Sequence, residues 1–114
     1  MGRYDELAEN QRRAILDSEG VTAPSLRRAV AARAAALGGG PAAPEDSTGE
    51  IPEKLRAYVD AVALHAYRIT DEDVAELRRE ASEDTVFEVS VAAAVGAGLA
   101  RLERGLAILR RGER

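Results

Sequence analysis

The chain has no cysteine and no tryptophan, and it contains one histidine among its 114 residues. Without cysteine, this chain cannot form disulfides, thiolate metal sites, a thiol peroxidase centre or a Cys-x-x-Cys redox motif. A metal site built with one histidine would need carboxylate ligands almost alone, and the acidic residues stand mainly at helix-capping positions. The sequence therefore predicts no metal and no cofactor.

Large aromatic side chains are also scarce, since the chain has only three tyrosines and one phenylalanine. Hydrophobic residues nevertheless make up 46% of the chain, and much of that fraction is alanine. A core of this composition favours close contacts between helices over bulky interdigitating side chains. At 12.1 kDa, the chain has the size of one domain.

Excess positive charge is absent as well: the formal net charge is −4 and the estimated pI is about 5.1. Nucleic-acid binding needs a concentrated basic face, so we predict no nucleic-acid partner. The sequence shows no signal segment, and the apolar stretch 86–100 is short and interrupted by Glu88 and Ser90. We therefore expect a soluble cytoplasmic protein that does not cross a membrane.

Hydrophobic residues recur with helical periodicity, and no segment alternates with a period of two. Five helices are predicted, over 4–17, 24–37, 52–67, 71–80 and 82–110. Pro24 and Pro52 suit first turns, Gly38 suits a helix end, and Thr70 with Asp73 forms a capping box. The predicted fold class is all-α.

A change in composition divides the chain. Residues 1–37 form a predicted N-terminal helical pair, and residues 51–114 form a more strongly patterned helical unit. Between them, residues 38–50 read GGGPAAPEDSTGE, which is typical of a flexible linker. We expect one domain overall, and the sequence leaves open whether residues 1–37 pack on the C-terminal unit.

The last predicted helix is apolar on nearly every side between residues 86 and 100. Such a helix has to be buried on every face, and one chain of this length has few elements to cover it. Its small residues also allow another backbone to approach closely; they are Ala92, Ala93, Gly96, Ala97 and Ala100. We therefore expect the helix over 83–110 to form the centre of the domain and a homo-oligomer interface.

Residues 58–106 resemble the carboxymuconolactone decarboxylase/alkylhydroperoxidase-D-like superfamily. The resemblance lies in an amphipathic helix, then ITDEDVAEL, a short helix, SEDTVFE and a small-residue helix that ends in RLERGL. It implies an AhpD-like helical bundle with a long central C-terminal helix, assembled as a homo-oligomer. The Cys-x-x-Cys-x-x-x-His site of the peroxidase branch is missing here. The family also ends its short helix with glycine, whereas this chain has Arg79-Glu80-Ala81, so we expect a strained turn at positive φ.

Two titratable residues are candidates for catalysis. His65 lies near a predicted helix C-terminus, where the helix dipole favours its charged form. Glu88 lies in the most apolar part of the chain, where a buried carboxylate has a raised pKa and needs a partner such as His65, Tyr67 or Arg68. The alternative interpretation places both residues at the solvent-exposed ends of their helices.

Three further residues are candidates for ligand binding. Tyr58 and Tyr67 are predicted to border a small pocket between the third and fifth helices, and Arg68 could hold the carboxylate of a small acidic molecule. The alternative is that the tyrosines are simply core residues.

Three functional hypotheses follow. The first is a non-redox AhpD-like oligomer with a structural or small-ligand-binding role. The alternative is a decarboxylase-type enzyme that acts on a small acidic lactone-like metabolite by acid–base chemistry of His65 and Glu88. A third is an adaptor that presents residues 1–37 to a partner, which predicts that this pair docks elsewhere than on the C-terminal unit. The sequence alone leaves the ligand, the subunit number and catalysis itself open.

Overall fold

A computed structural model describes residues 3–17, 19–38 and 51–112. The helices are α1 (Arg3–Leu16), α2 (Pro24–Leu37), α3 (Glu53–His65), α4 (Asp71–Arg78) and α5 (Glu83–Gly112), and a 3₁₀ turn spans Ala66–Arg68. Within the described ranges there is no strand. The predicted all-α fold with about five helices and a long C-terminal helix is confirmed. The predicted linker, apart from Gly38, lies outside the described residues.

Local sequence signals locate most of the helix ends. Helix α2 begins at Pro24 and ends at Leu37. Gly38, which caps its C-terminal end, donates its N–H to the Ala34 carbonyl at 2.9 Å. At the start of α4, the Asp73 N–H donates to Thr70 Oγ1 at 3.1 Å and the Thr70 N–H donates to Asp73 Oδ2 at 3.0 Å. The capping box read from the sequence is therefore present, and each such cap contributes about 1 kcal/mol.

Two helix ends differ from the prediction. Helix α3 ends at His65, whose φ of −143° and ψ of 45° lie outside the helical region, and the chain continues as the 3₁₀ turn. After α4, Arg79 keeps a right-handed conformation with φ −71° and ψ −26°. Its N–H and that of Glu80 donate to carbonyls one turn earlier in α4. The positive φ expected in this turn is therefore not found at Arg79.

The most extensive helix contact joins α2 to α5. A side chain at Gly96 of α5 would overlap the Ala31 carbonyl group of α2, so the two backbones touch at this point. The small residues of α5 thus permit the close approach that the sequence predicts. Their partner, however, is α2 of the same chain, so this stripe of α5 does not provide a subunit contact.

One hydrophobic core includes residues from both predicted halves of the chain. The largest fully buried side chains are Leu16, Val30, Ile51, Val59 and Val89. Helices α1 and α2 therefore pack on α5, which contradicts the docking expected of an adaptor. Buried residues from all the described parts of the chain belong to one hydrophobic cluster.

Helix α5 is buried on one side only. The residues facing α2 and α3 are almost inaccessible, whereas Phe87 is 67% exposed and Leu102 is 45% exposed. The prediction that every face is buried is wrong for the single chain, because its shorter helices cover only one side of α5. We name this stripe, which follows the helical repeat, the α5 apolar face. It comprises the exposed residues Phe87, Ala94, Gly98 and Leu102 and the half-buried Val91 and Val95.

Helix α5 also meets the length and composition expected of a membrane-spanning helix. It has 30 residues, and its most apolar 18-residue window has a mean hydropathy of 1.4 with 39% of the window buried. The apolar stretch 86–100, which is too short to span a membrane, is only part of this helix. This is weak evidence for a membrane span, since the central helix of a globular protein passes the same test.

Candidate functional site

Glu88 binds the turn between α1 and α2. Its Oε2 accepts the Val21 N–H at 2.8 Å, and its Oε1 accepts the Thr22 N–H at 2.9 Å and the Thr22 hydroxyl at 2.6 Å. The site also requires Gly20, because a Cβ there would lie 2.5 Å from Glu88 Oε1. Three donors on one carboxylate make a charge-assisted clamp between residues 66 or 67 positions apart.

The clamp also sets the charge state of this carboxyl group. Hydrogen bonds from the Thr22 hydroxyl and backbone, assisted by the Val21 N–H and the positive charge of Arg27, hold the pKa of Glu88 below its usual range. Partial burial opposes this effect but is outweighed. The expected raised pKa is therefore wrong, because hydrogen bonds to the charged form exceed the cost of desolvation.

His65 and Glu88 lie at different levels along the shared direction of α3 and α5. Tyr58 of α3 hydrogen-bonds Ser90 of α5, and Arg101 further along α5 donates to the Ala63 carbonyl, so the two helices run in the same direction. His65 is seven residues beyond Tyr58, a rise of about 10 Å, whereas Glu88 precedes Ser90. The structure therefore does not bring His65 and Glu88 together as the predicted acid–base pair.

His65, Tyr67 and Arg68 form a small exposed group at the C-terminal end of α3. The His65 and Tyr67 rings meet edge to face with centroids 6.2 Å apart, and the Arg68 guanidinium lies 5.5 Å from the centre of the Tyr67 ring. Tyr67 is 78% exposed. The partners predicted for Glu88 are instead partners of one another, and Tyr67 borders none of the described cavities.

Tyr58 has a structural partner that the sequence did not reveal. Its hydroxyl lies 2.5 Å from Ser90 Oγ, and Ser90 Oγ in turn donates to the Val86 carbonyl at 2.6 Å. Since Ser90 has one hydroxyl proton, Tyr58 is the donor in the first bond. Tyr58 also borders a groove, but this groove lies between α3 and α4 rather than between α3 and α5, and Tyr67 does not line it.

Arg27 is the buried charge of the site. It is 3% exposed, and its guanidinium donates to the Ile15 carbonyl at 2.9 Å, at the C-terminal end of α1. A cavity of about 370 Å³ lies beside it, with Glu88, Phe87 and Val91 in its wall. The cavity opens where the α5 apolar face begins. Sequence reasoning missed Arg27, although its position one turn before Val30 in the inward stripe of α2 was a usable signal.

An ion pair joins α2 to α3. The Arg33 guanidinium binds the Asp60 carboxylate through two bonds, of 2.5 and 2.8 Å. The hydrogen bonds to Asp60 raise the pKa of Arg33, which exceeds the opposing effect of burial. Both side chains are about one third exposed or less, and the two-bond geometry orients α2 against α3.

Comparison with protein-family models, with curated proteins and with solved structures finds no match to this chain. Within the described residues, no group of three or more histidine or acidic side chains is placed to hold a metal ion. The candidate functional features of the described residues are therefore the Glu88 clamp, the groove between α3 and α4, and the α5 apolar face.

Proposed function

We propose that this protein is a non-redox helical subunit, of the alkylhydroperoxidase-D-like kind, that assembles with copies of itself through the α5 apolar face. The observation that carries the proposal is the 67% exposure of Phe87 at the head of an apolar stripe on the longest helix. A monomer rarely leaves its largest apolar side chains aligned in water, and such patches mark interaction sites.

The shape of the stripe supports a helix as the partner. Gly98 has no atom within 4 Å of where a side chain would begin, and Gly105, two turns further on the same side, is equally open. Glycines at this spacing leave a shallow channel that lets a second helix approach closely. Pairing of the same face on two copies is the simplest closed arrangement, because each copy then buries the same residues.

The decarboxylase alternative has less support from the geometry. A general acid or base must have an atom free to exchange a proton with a substrate. Both carboxylate oxygens of Glu88 already accept hydrogen bonds from the α1–α2 turn, and its lowered pKa disfavours a proton-donating role. The structural role of Glu88 is the interpretation that we retain.

Gly98→Leu tests the proposed interface. The substitution should raise helix propensity by about 0.5–1 kcal/mol and fill the open channel, so the fold persists while a second helix is kept away. Sedimentation velocity should show a smaller assembly than the wild type, with unchanged circular dichroism. Phe87→Glu should act in the same way, since a side chain already two-thirds exposed is dispensable for the monomer fold.

Glu103→Leu is the matched control, because it adds a leucine to the exposed part of α5 outside the α5 apolar face. It should leave the assembly unchanged. A wild-type protein that remains monomeric at high concentration would contradict the proposal. So would a Gly98→Leu variant that keeps the wild-type assembly.

A further inference from the structure

A groove of about 400 Å³ separates α3 from α4. Its floor is apolar and comes from both helices and the segment between them. The residues that line it are Lys54, Ala57, Tyr58, Ala61, Ile69, Asp73, Glu76, Leu77 and Glu80. Because α4 packs on α5 rather than closely on α3, the groove stays open along its length.

The α4 wall of this groove carries a regular charge pattern. Asp73, Glu76 and Glu80 are all exposed, and Leu77 lies between them at the base of the wall. Asp73 and Glu80 are seven residues apart, about 10 Å along the helix axis. Lys54 is the one cationic side chain in the lining, so the groove is an apolar slot with a net negative wall.

The end of α5 carries the complementary pattern. Arg104, Ile108 and Arg111 recur at intervals of four and three residues, so they share one side of the helix. All three are exposed, and Ile108 is 58% accessible. The two arginines are opposite in sign to the carboxylates of the α4 wall, and the isoleucine between them is apolar like the floor of the groove.

A chain cannot insert this segment into its own groove. Tyr58 in the groove wall contacts Ser90, whereas Arg104 and Arg111 lie 14 and 21 residues further along the same continuous helix. That separation is about 21 to 31 Å. The segment that fits the groove must therefore come from another molecule.

We propose that the C-terminal end of α5 from a second copy of this chain docks in the groove between α3 and α4. Ile108 of the incoming helix covers Leu77 and the alanines of α3, and its two arginines pair with the carboxylates of α4. Asp73 already accepts one hydrogen bond from the Thr70 N–H, so Glu76 and Glu80 are the principal partners. The contact is head-to-tail, which yields a ring where the geometry closes and a filament where it does not.

This contact uses a different side of α5 from the α5 apolar face and does not depend on it. It is best measured in the Gly98→Leu background, where the first interface is blocked. Sedimentation of that parent at low ionic strength should show residual association. Raising the salt concentration should weaken it, because the pairs lie at a solvent-exposed rim. A parent that stays monomeric at its highest soluble concentration overturns the proposal.

Complementary charge reversal provides the decisive test. One variant carries Arg104→Glu with Arg111→Glu, and the other carries Glu76→Arg with Glu80→Arg. Each alone places like charges at the contact, so its association should weaken by about tenfold or more. Mixed in equal amounts, the reversed helix of the first fits the reversed groove of the second, and the unaltered helix and groove still match. Association should therefore return in the mixture.

Circular dichroism of each variant alone controls for folding, since all four positions are exposed. Charge variants that associate like the parent overturn the docking, and so does a mixture no larger than its components. Neither result bears on the α5 apolar face, which Gly98→Leu tests by itself in the otherwise unaltered chain. Assembly through the α5 apolar face and docking in the groove can therefore each be disproved without affecting the other.

Discussion

At the scale of single residues, Glu88 links α5 to the turn between α1 and α2, which lies far from it in the sequence. Its carboxylate replaces water for two backbone N–H groups and one hydroxyl of the segment that leads into α2. Gly20 has to lack a side chain for this contact to form. The α1–α2 turn is therefore positioned on α5 by hydrogen bonds rather than by apolar burial.

Glu88→Gln should destabilise the fold by about 1–3 kcal/mol, because an amide nitrogen cannot accept the hydrogen bonds that the lost oxygen received. Urea unfolding measures this loss. Glu103→Gln makes the same change at an exposed position of α5 and should alter stability by no more than about 0.5 kcal/mol. Equal effects from both substitutions would contradict the clamp.

The pH dependence follows from the lowered pKa of Glu88. A group with a lower pKa in the folded state stabilises the fold fully above its unfolded-state pKa. That contribution is lost as the pH falls through the folded-state value. The stability difference between wild type and Glu88→Gln should therefore be full at neutral pH and shrink in acid. A difference that grows on acidification would reverse the assigned sign.

At the scale of elements, the contact between α2 and α5 determines how the protein is built. Alanines and one glycine face each other, so the backbones approach more closely than leucine-rich helices do. Arg33 and Asp60 then orient α3 against α2, and Arg101 donates a hydrogen bond to the Ala63 carbonyl near the end of α3. Because the helix backbones lie close together, little space remains between them for large side chains.

Gly96→Ala should destabilise the protein although alanine favours helix. The added methyl group would overlap the Ala31 carbonyl, and overpacking of this kind costs about 1–3 kcal/mol against a propensity gain of about 1 kcal/mol. Gly105→Ala is the matched control, since its surroundings are open, and it should stabilise the protein by about 0.5–1 kcal/mol. Thermal unfolding of both variants compares them. Equal stabilisation by both would disprove the close contact at Gly96.

The helix ends that the sequence predicted well depend on neighbouring residues. The capping box of α4 and the proline at the start of α2 need only a few positions of chain to form. The end of α3 at His65 was missed by two residues. There the apolar spacing continues through Tyr67, but the backbone turns away so that residues 69–81 can return along α3.

At the scale of the whole molecule, one chain leaves its longest helix partly uncovered. Domains of this size bury a limited share of their surface, and part of the exposed apolar surface here lies on α5. The large exposed apolar side chains of that helix include Phe87, Leu102, Ile108 and Leu109. Association with further copies is a direct way to remove this surface from water.

The thermal midpoint should therefore rise with protein concentration, because association stabilises the folded state by mass action. Differential scanning calorimetry over a hundredfold range of concentration measures the effect. Gly98→Leu should reduce the slope, and the control Glu103→Leu, outside the α5 apolar face, should preserve it. A midpoint independent of concentration would show that self-association contributes nothing to stability.

The sequence by itself determined the helical class, most helix boundaries, the small residues of α5 that allow a close backbone approach, and the exclusion of thiol chemistry. These properties follow from periodicity, capping residues and composition, which act over a few neighbouring positions. Only the tertiary structure decided that α2 covers the small residues of α5, that Glu88 binds Thr22 rather than His65, and that Phe87 faces outward. Each of these outcomes depends on which side of a helix meets which distant segment, and local periodicity identifies a face without naming its partner.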